Sequence, residues 1–395
     1  MGVGSKAPIF EGDLYSARAL QDPYPAYRRL RDLGPAVWMP KRKMWAISRF
    51  EDVRIALRAA DVLVSGKGVA ANKFMNRQVA PITLTSDGEI HDRRRNVLIQ
   101  PVMPTPLKAS RARLEDEAER KIAALATGET FDAMSKFASH LPVTVVAELV
   151  GLNEAGRARM LDWAAATFNA LGAMNLRGVI SLPKMMQLRR YVLGLGPSTV
   201  VPGGWASRLF EAADRKELSL QEAKAMVIDY VAPALDTTIL ATGHMVWLLA
   251  TTQGAYEEVR SDPGLIPGVV NEAVRMASPI RGFTRYASAD FPLGSSLIPR
   301  DSRVLILYAS ANRDERRYAD PDRFDVRRNP RDHVGWGHGP HACVGMHLAR
   351  LEMEILLKAL VDHVETIEVG APAPAWNNVL QGFKTLPARF HGRRY

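Results

Sequence analysis

The sequence predicts a mainly α-helical single domain, residues 1–395, with a small β region. Three observations predict it. Apolar residues recur at helical spacing over 110–126, 132–151, 153–171, 219–253 and 344–362. Strand-like runs are few and short, AVWMP at 36–40, MWAISR at 44–49, RVLILYA at 303–309 and the tail around VLQGFKTLPARF, which places sheet at the two ends of the chain. No repeat, low-complexity segment or linker divides the 395 residues, although GLGPSTVVPGGW at 194–205 reads as a long loop.

The longest helix is the most informative element. Ser219 and Glu222 form an S-x-x-E capping box, and the apolar pattern then runs to about Thr252, roughly 50 Å of helix. Pro233 removes a backbone donor in its middle and predicts a kink, just ahead of Asp236, Thr237 and Thr238 in an otherwise apolar run. Alone, the segment reads equally well as a buried helix whose threonines bond back to the preceding turn. A lipid-facing span would not tolerate Asp236 and His244 cheaply, so 231–250 predicts a buried soluble helix and no membrane partner.

Composition narrows the partners. Lysine and arginine number 52 against 42 acids, a net charge of +10, so the surface favours an acidic partner. No zinc-finger spacing, RNP aromatic motif or dense basic tract points to nucleic acid. The single cysteine, Cys343, excludes an internal disulfide, and a reducing cytosol is the natural setting. MGVGSKAPIFEGD has no apolar run of signal-peptide length, and Lys6 breaks the myristoylation pattern, so a cytoplasmic location is expected.

Cys343 sits in GWGHGPHACVG, ahead of an amphipathic helix whose amino terminus lowers a thiol pKa. Gly337, Gly339 and Gly345 predict positive φ and close approach by a flat group. Three uses of the thiol compete: an inert buried residue, a zinc site shared among His333, His338, His341, Cys343 and His347, and a haem-thiolate site with one protein ligand. H-x-C is tight spacing for one zinc ion, and no CxxC or HExxH accompanies it.

The run W-G-H-G-P-H-A-C-V-G resembles the haem loop F-G-x-G-x-H-x-C-x-G of the cytochromes P-450, with Trp336 in the place of Phe. Further motifs of that family follow along nearly the whole chain. Glu272 and Arg275 in NEAVRMASP, with Arg323 in DPDRF, resemble its buried Glu-Arg-Arg network. APALDTT resembles its oxygen-activation motif, with Pro233 where a small residue is usual. The resemblance implies a P-450-like helical fold and a haem-thiolate monooxygenase that uses O2. It implies haem b with Cys343 as axial iron ligand, packed by Trp336 and Gly345, and propionates held by His91, Arg95, Arg285 and His341. It further implies Ala234 leaving a groove for O2, Thr237 hydrogen-bonding the dioxygen and Asp236 relaying protons.

With one cysteine and no room for a fused flavin or iron–sulfur domain, electrons from NAD(P)H are expected through a separate ferredoxin- or flavodoxin-type donor. Arg93, Arg94, Lys108, Arg111, Arg113 and Arg350 are its expected docking face. The resemblance places pocket walls at 66–84, including Phe74 and Met75, at 167–181, at Ile280 to Phe283 and near Leu380. These suit a small or medium apolar, aromatic or terpenoid substrate for hydroxylation or oxidative O-demethylation. Asp229, two turns before Asp236, either enters the pocket or pairs with a nearby cation. The rival reading is a haem- or zinc-binding sensor without turnover.

Overall fold

The computed structural model describes residues 7–393; the start of the segment read for targeting signals, through Lys6, lies outside the described residues. Seven helices frame the site: α1 (Gly88–Ile99), α2 (Pro104–Leu125), α3 (Leu176–Leu193), α4 (Leu220–Val231), α5 (Asp236–Thr251), α6 (Ile266–Ala277) and α7 (Met346–His363). The fold is mainly helical, as expected. Helix α7 buries Leu348, Met353, Leu356 and Leu360 and packs against α2 and α6. Helix α6 is buried along nearly its whole length, entering on Pro267 in its first turn and ending at Ser278, a non-glycine residue at φ 39°.

A five-stranded sheet flanks the helices, built from β1 (Val37–Met39), β2 (Met44–Ile47), β3 (Leu63–Val64), β4 (Phe283–Ala287) and β5 (Arg303–Ile306) in the order β1-β2-β5-β4-β3. Only β2 and β5 run parallel, with Trp45 opposite Val304. A second sheet joins Phe131–Asp132, Pro387–Gly392 and Val364–Val369. Sheet therefore lies beyond the two ends of the chain. The strand expected at 303–309 stops at Ile306, because Tyr308–Ala311 turns helical.

Prolines account for the largest departures from the expected helices. The single kinked helix expected over 219–252 is two helices, interrupted at 232–235 around Pro233. Its amino terminus is as expected: Ser219 Oγ accepts the Glu222 N–H at 3.2 Å, and a Glu222 carboxyl oxygen accepts the Ser219 N–H at 2.8 Å. The 132–151 segment runs as two π-helical turns, Met134–Ala138 and Pro142–Val146, before Ala147–Val150. The apolar stretch 220–251 is long enough to cross a bilayer by composition, yet most of it is buried inside the fold.

Behind the Cys343 loop, Glu272 and Arg275 are fully buried and paired through two hydrogen bonds of 2.7 Å. The third member is Arg328, not Arg323. Arg328 donates to the Glu272 carboxylate at 2.8 Å and to the carbonyls of Arg323 and Ala319, whereas the Arg323 side chain is exposed. The D-P-D-R-F motif thus supplies a backbone acceptor and Arg328 supplies the charge. Urea unfolding should show Arg328→Ala destabilised by about 1–3 kcal/mol and Arg323→Ala within about 0.5 kcal/mol of the parent; the reverse order would return the role to Arg323.

Candidate active site

A cavity of about 800 Å³ lies between the Cys343 loop, α1, α4, α5, α3 and the segment 75–85. The loop reaches it through two tight turns. Gly337 and Gly339 adopt φ of 69° and 70°, and a Cβ on Gly339 would strike the Leu57 carbonyl at 2.4 Å. Gly345 was expected at positive φ but sits at −84°. What its missing side chain leaves is room, since a Cβ there would meet nothing within 4 Å, on the cavity wall.

The Cys343 N–H donates to the Trp336 carbonyl at 2.7 Å, which turns the thiol toward the cavity. The sulfur is open to that internal space while protein encloses it from bulk water. Burial pushes the thiol above its ordinary value; the Gly345 N–H and the charges of Arg95 and Arg350 pull it back down. Burial thus outweighs the lowering expected from a helix terminus, and α7 itself begins only at Met346.

The expected propionate contacts converge. His341, Arg95 and Arg285 line the cavity, and the buried His91 ring lies 4.3 Å from that of His341. Asp87 anchors the group: it accepts the N–H groups of Ser65 and Gly66 and stands 3.9 Å from His341 Nε2. Burial opposes ionisation of Asp87, but its bonds with His341, Ser65 and Gly66 hold its carboxyl below the ordinary value. His91 Nε2 and Trp336 Nε1 are both buried without a protein partner. Unpaired donors, clustered cations and a thiol around one enclosed space fit a flat, dianionic, thiolate-ligated cofactor such as haem.

The zinc alternative is not supported by geometry. Among the described residues no three His, Cys, Asp or Glu side chains converge on a metal-sized site. His333 Nδ1 accepts the Gly335 N–H, and His338 accepts from Arg58.

On the opposite wall, Ala234 and Thr237 line the cavity. Thr237 Oγ1 donates to the Pro233 carbonyl at 2.9 Å. Asp236 is not among the lining residues; burial, with Asp162 adding to it, raises its carboxyl to about 7, and its Oδ2 lacks a partner. Pocket-wall expectations are met at Met75, Phe168, Ile280 and Phe283. They fail at Phe74, which faces outward, and at Leu380, whose backbone bridges Ile280. Sequence reading missed Met185, Leu188 and Val192 on α3, where Pro183 obscured the helical pattern, and Glu352 on α7. Glu352 is fully buried with neither carboxyl oxygen partnered, and burial pushes its pKa well up.

The expected docking face also changes. Arg93 and Arg94 pair with Glu222, Arg111 with Glu115 and Arg113 with Glu148. Lys108 and Arg331 form no ion pair among the described residues, and Arg350 lies over the Trp336 ring at 5.9 Å.

A family profile described as Cytochrome P450 matches residues 264–381. Cytochrome p450 CYP199A2 of Rhodopseudomonas palustris is 32% identical over 97% of this chain and 95% of its own length. Beta-dihydromenaquinone-9 omega-hydroxylase of Mycobacterium tuberculosis is 31% identical over 95% of this chain and 77% of its own. Among solved structures, Mycobacterium marinum cytochrome P450 CYP268A2 in complex with pseudoionone superposes with a TM-score of 0.85 at 25% identity, covering 97% of this chain and 100% of that one.

Asp229 meets the first of the two readings offered for it and not the second. It lines the cavity as the first reading has it, while its Oδ2 accepts the Thr83 N–H at 2.8 Å, tying α4 to the covering segment; the cation of the second reading is replaced by that backbone donor, since it forms no salt bridge among the described residues. Burial raises it from 3.8 to about 6. A carboxyl raised on folding favours the native state when protonated, so its contribution falls as pH climbs from about 4 to 6. Asp229→Asn keeps an acceptor for Thr83. It should be more stable than the parent above pH 6 by up to about 3 kcal/mol, the gap closing near pH 4, as read by urea unfolding at each pH.

Proposed function

The chain belongs to the cytochrome P450 family of monooxygenases, and from that premise we propose that it is a cytoplasmic haem b enzyme in which Cys343 is the axial iron ligand and His91, Arg95, Arg285 and His341 hold the propionates. One observation carries this reading: the only thiol in the sequence opens onto an enclosed cavity at whose edge these donors gather. Haem held there would supply the redox chemistry for O2 reduction, with electrons from NAD(P)H, and for transfer of one oxygen atom to substrate.

The protein groups have distinct tasks. The propionate donors orient and neutralise, while Trp336 packs beside the thiolate. Gly345 and Ala234 leave room for flat cofactor and dioxygen. Thr237 would turn its hydroxyl from the Pro233 carbonyl to donate a hydrogen bond to dioxygen. Asp236, near neutrality, both holds and releases a proton at working pH. Met75, Phe168, Ile280 and Phe283 exclude water around a small or medium apolar substrate, aromatic or terpenoid. Hydroxylation is the basic reaction, and O-demethylation is the same hydroxylation at a carbon next to an ether oxygen. The relative that carries the name of a hydroxylase favours turnover over a sensor. An acidic ferredoxin or flavodoxin is proposed to dock beside the cysteine loop at Lys108, Arg331 and Arg350.

The dithionite-reduced protein under carbon monoxide should show a strongly red-shifted Soret band, lost in Cys343→Ser. An unshifted band in the parent would overturn thiolate ligation. Thr237→Ala should keep consuming NAD(P)H while releasing peroxide in place of product, and Asp236→Asn should slow turnover about 100-fold. Full coupling in Thr237→Ala would remove that residue from oxygen handling.

A further inference from the structure

The cavity wall spends most of its hydroxyls on the protein itself. Among the lining residues, Thr85 and Thr167 donate to the carbonyls of Ala80 and Trp163, and Tyr230 donates to the Leu98 carbonyl. Where α4 meets the covering segment, two neighbouring groups are left over. Asp229 accepts the Thr83 N–H through Oδ2, and its Oδ1 takes no hydrogen bond among the described residues. The Thr83 hydroxyl lies close enough to pull the Asp229 carboxyl down, yet it is buried and completes no hydrogen bond.

An acid in this place costs the fold stability. Burial lifts its carboxyl, whereas asparagine would also accept from Thr83 and carry no charge to desolvate. An open acceptor beside an unpartnered hydroxyl, both on a cavity wall, is accounted for by a polar ligand group in apolar surroundings. The pair also restricts that group's chemistry. A ligand carboxylate would meet Asp229 with like charge, and an ether would offer it no proton. An ammonium could donate to Asp229 but accept nothing from Thr83, and Arg77, Arg95, Arg189 and Arg285 line the same cavity. A hydroxyl gives one hydrogen bond and takes the other.

We propose that Asp229 and Thr83 together bind a hydroxyl group of the substrate, which donates to Asp229 Oδ1 and accepts from the Thr83 hydroxyl. The substrate class this defines is a phenol or alcohol with an apolar body. Thr237 lies eight residues beyond Asp229, roughly 12 Å at helical rise, and Ala232, Pro233 and Ala234 line the wall between them. The hydroxyl is therefore anchored at one end of the molecule and the apolar end extends toward the oxygen site. That oxidation falls at this far end rests on the monooxygenase reading; the hydroxyl contact does not.

Titration calorimetry on the full chain tests this with para-pentylphenol, para-pentylanisole and para-pentylbenzoate. The parent should bind the phenol about tenfold or more tighter than its methyl ether, and tighter than the benzoate. Asp229→Asn should bring phenol and ether within about threefold of each other. Thr83→Val keeps the backbone N–H that Asp229 uses and should shrink the ratio in the same direction. A parallel loss of both ligands in Asp229→Asn, with the ratio kept, would reduce the residue to a structural tie and overturn the proposal. So would equal binding of phenol and ether by the parent, tighter binding of the benzoate, or no binding of the phenol. The carbon monoxide spectrum of each variant reports the haem site separately, so the hydroxyl contact and the haem-thiolate reading can fail independently.

Discussion

The buried Glu272–Arg275 pair is the constraint on which the loop geometry depends. An ion pair removed from water stabilises little unless its hydrogen-bonding groups are used, and here every N–H of Arg275 has a partner, one of them the Met276 sulfur. Arg275 gives two hydrogen bonds to Glu272 and one each to the carbonyls of Asn312 and Pro321. Asn312 then accepts the Val334 N–H at 2.8 Å, two residues before Trp336, whose carbonyl receives the Cys343 N–H. The chain of partners runs from α6 to the thiol without a gap. A different packing of the segment 312–328 would leave a guanidinium unpaired in the core, and that penalty selects one position for the loop.

The same accounting explains the electrostatics of the cavity. Its thiol edge holds Arg95, Arg285, His91 and His341, with Asp87 the acid within reach of His341. Two further acids on its wall, Asp229 and Glu352, and Asp236 outside the lining have raised pKa values because burial dominates. The protein thus concentrates unbalanced positive charge at one edge and near-neutral acids elsewhere. In the proposed haem site two cofactor carboxylates would complete the first set, and a proton would occupy or leave each of the second.

Much of this was legible in the sequence because it rests on short-range chemistry. The haem-loop spacing, the Ser219 capping box and the E-x-x-R pair lie within one or two turns of backbone, where residue type and spacing nearly determine geometry. What was lost depended on long-range packing. Arg323 and Arg328 are equally plausible partners for Glu272 until the turn at 320–328 is folded, and only then does one side chain face inward. Arg93, Arg94, Arg111 and Arg113 looked free because their acids lie on other elements or one helical turn away. Helix α3 was hidden by Pro183 and by an apolar pattern on two faces, which matches neither a buried helix nor an ordinary surface one.

Pro233 connects the break in the long helix to the oxygen site. A small residue at that position would leave the backbone free to continue as a distorted helix; proline withholds an N–H and forces the interruption at 232–235. Thr237 then lies in the first turn of α5, where its hydroxyl satisfies the Pro233 carbonyl. A threonine hydroxyl has one proton, so in the proposed role it would have to leave the carbonyl to serve dioxygen. Releasing it costs about 1 kcal/mol, a small penalty that the stronger acceptor recovers. The break supplies a resting partner for the hydroxyl, and in the proposed reaction dioxygen would compete for it.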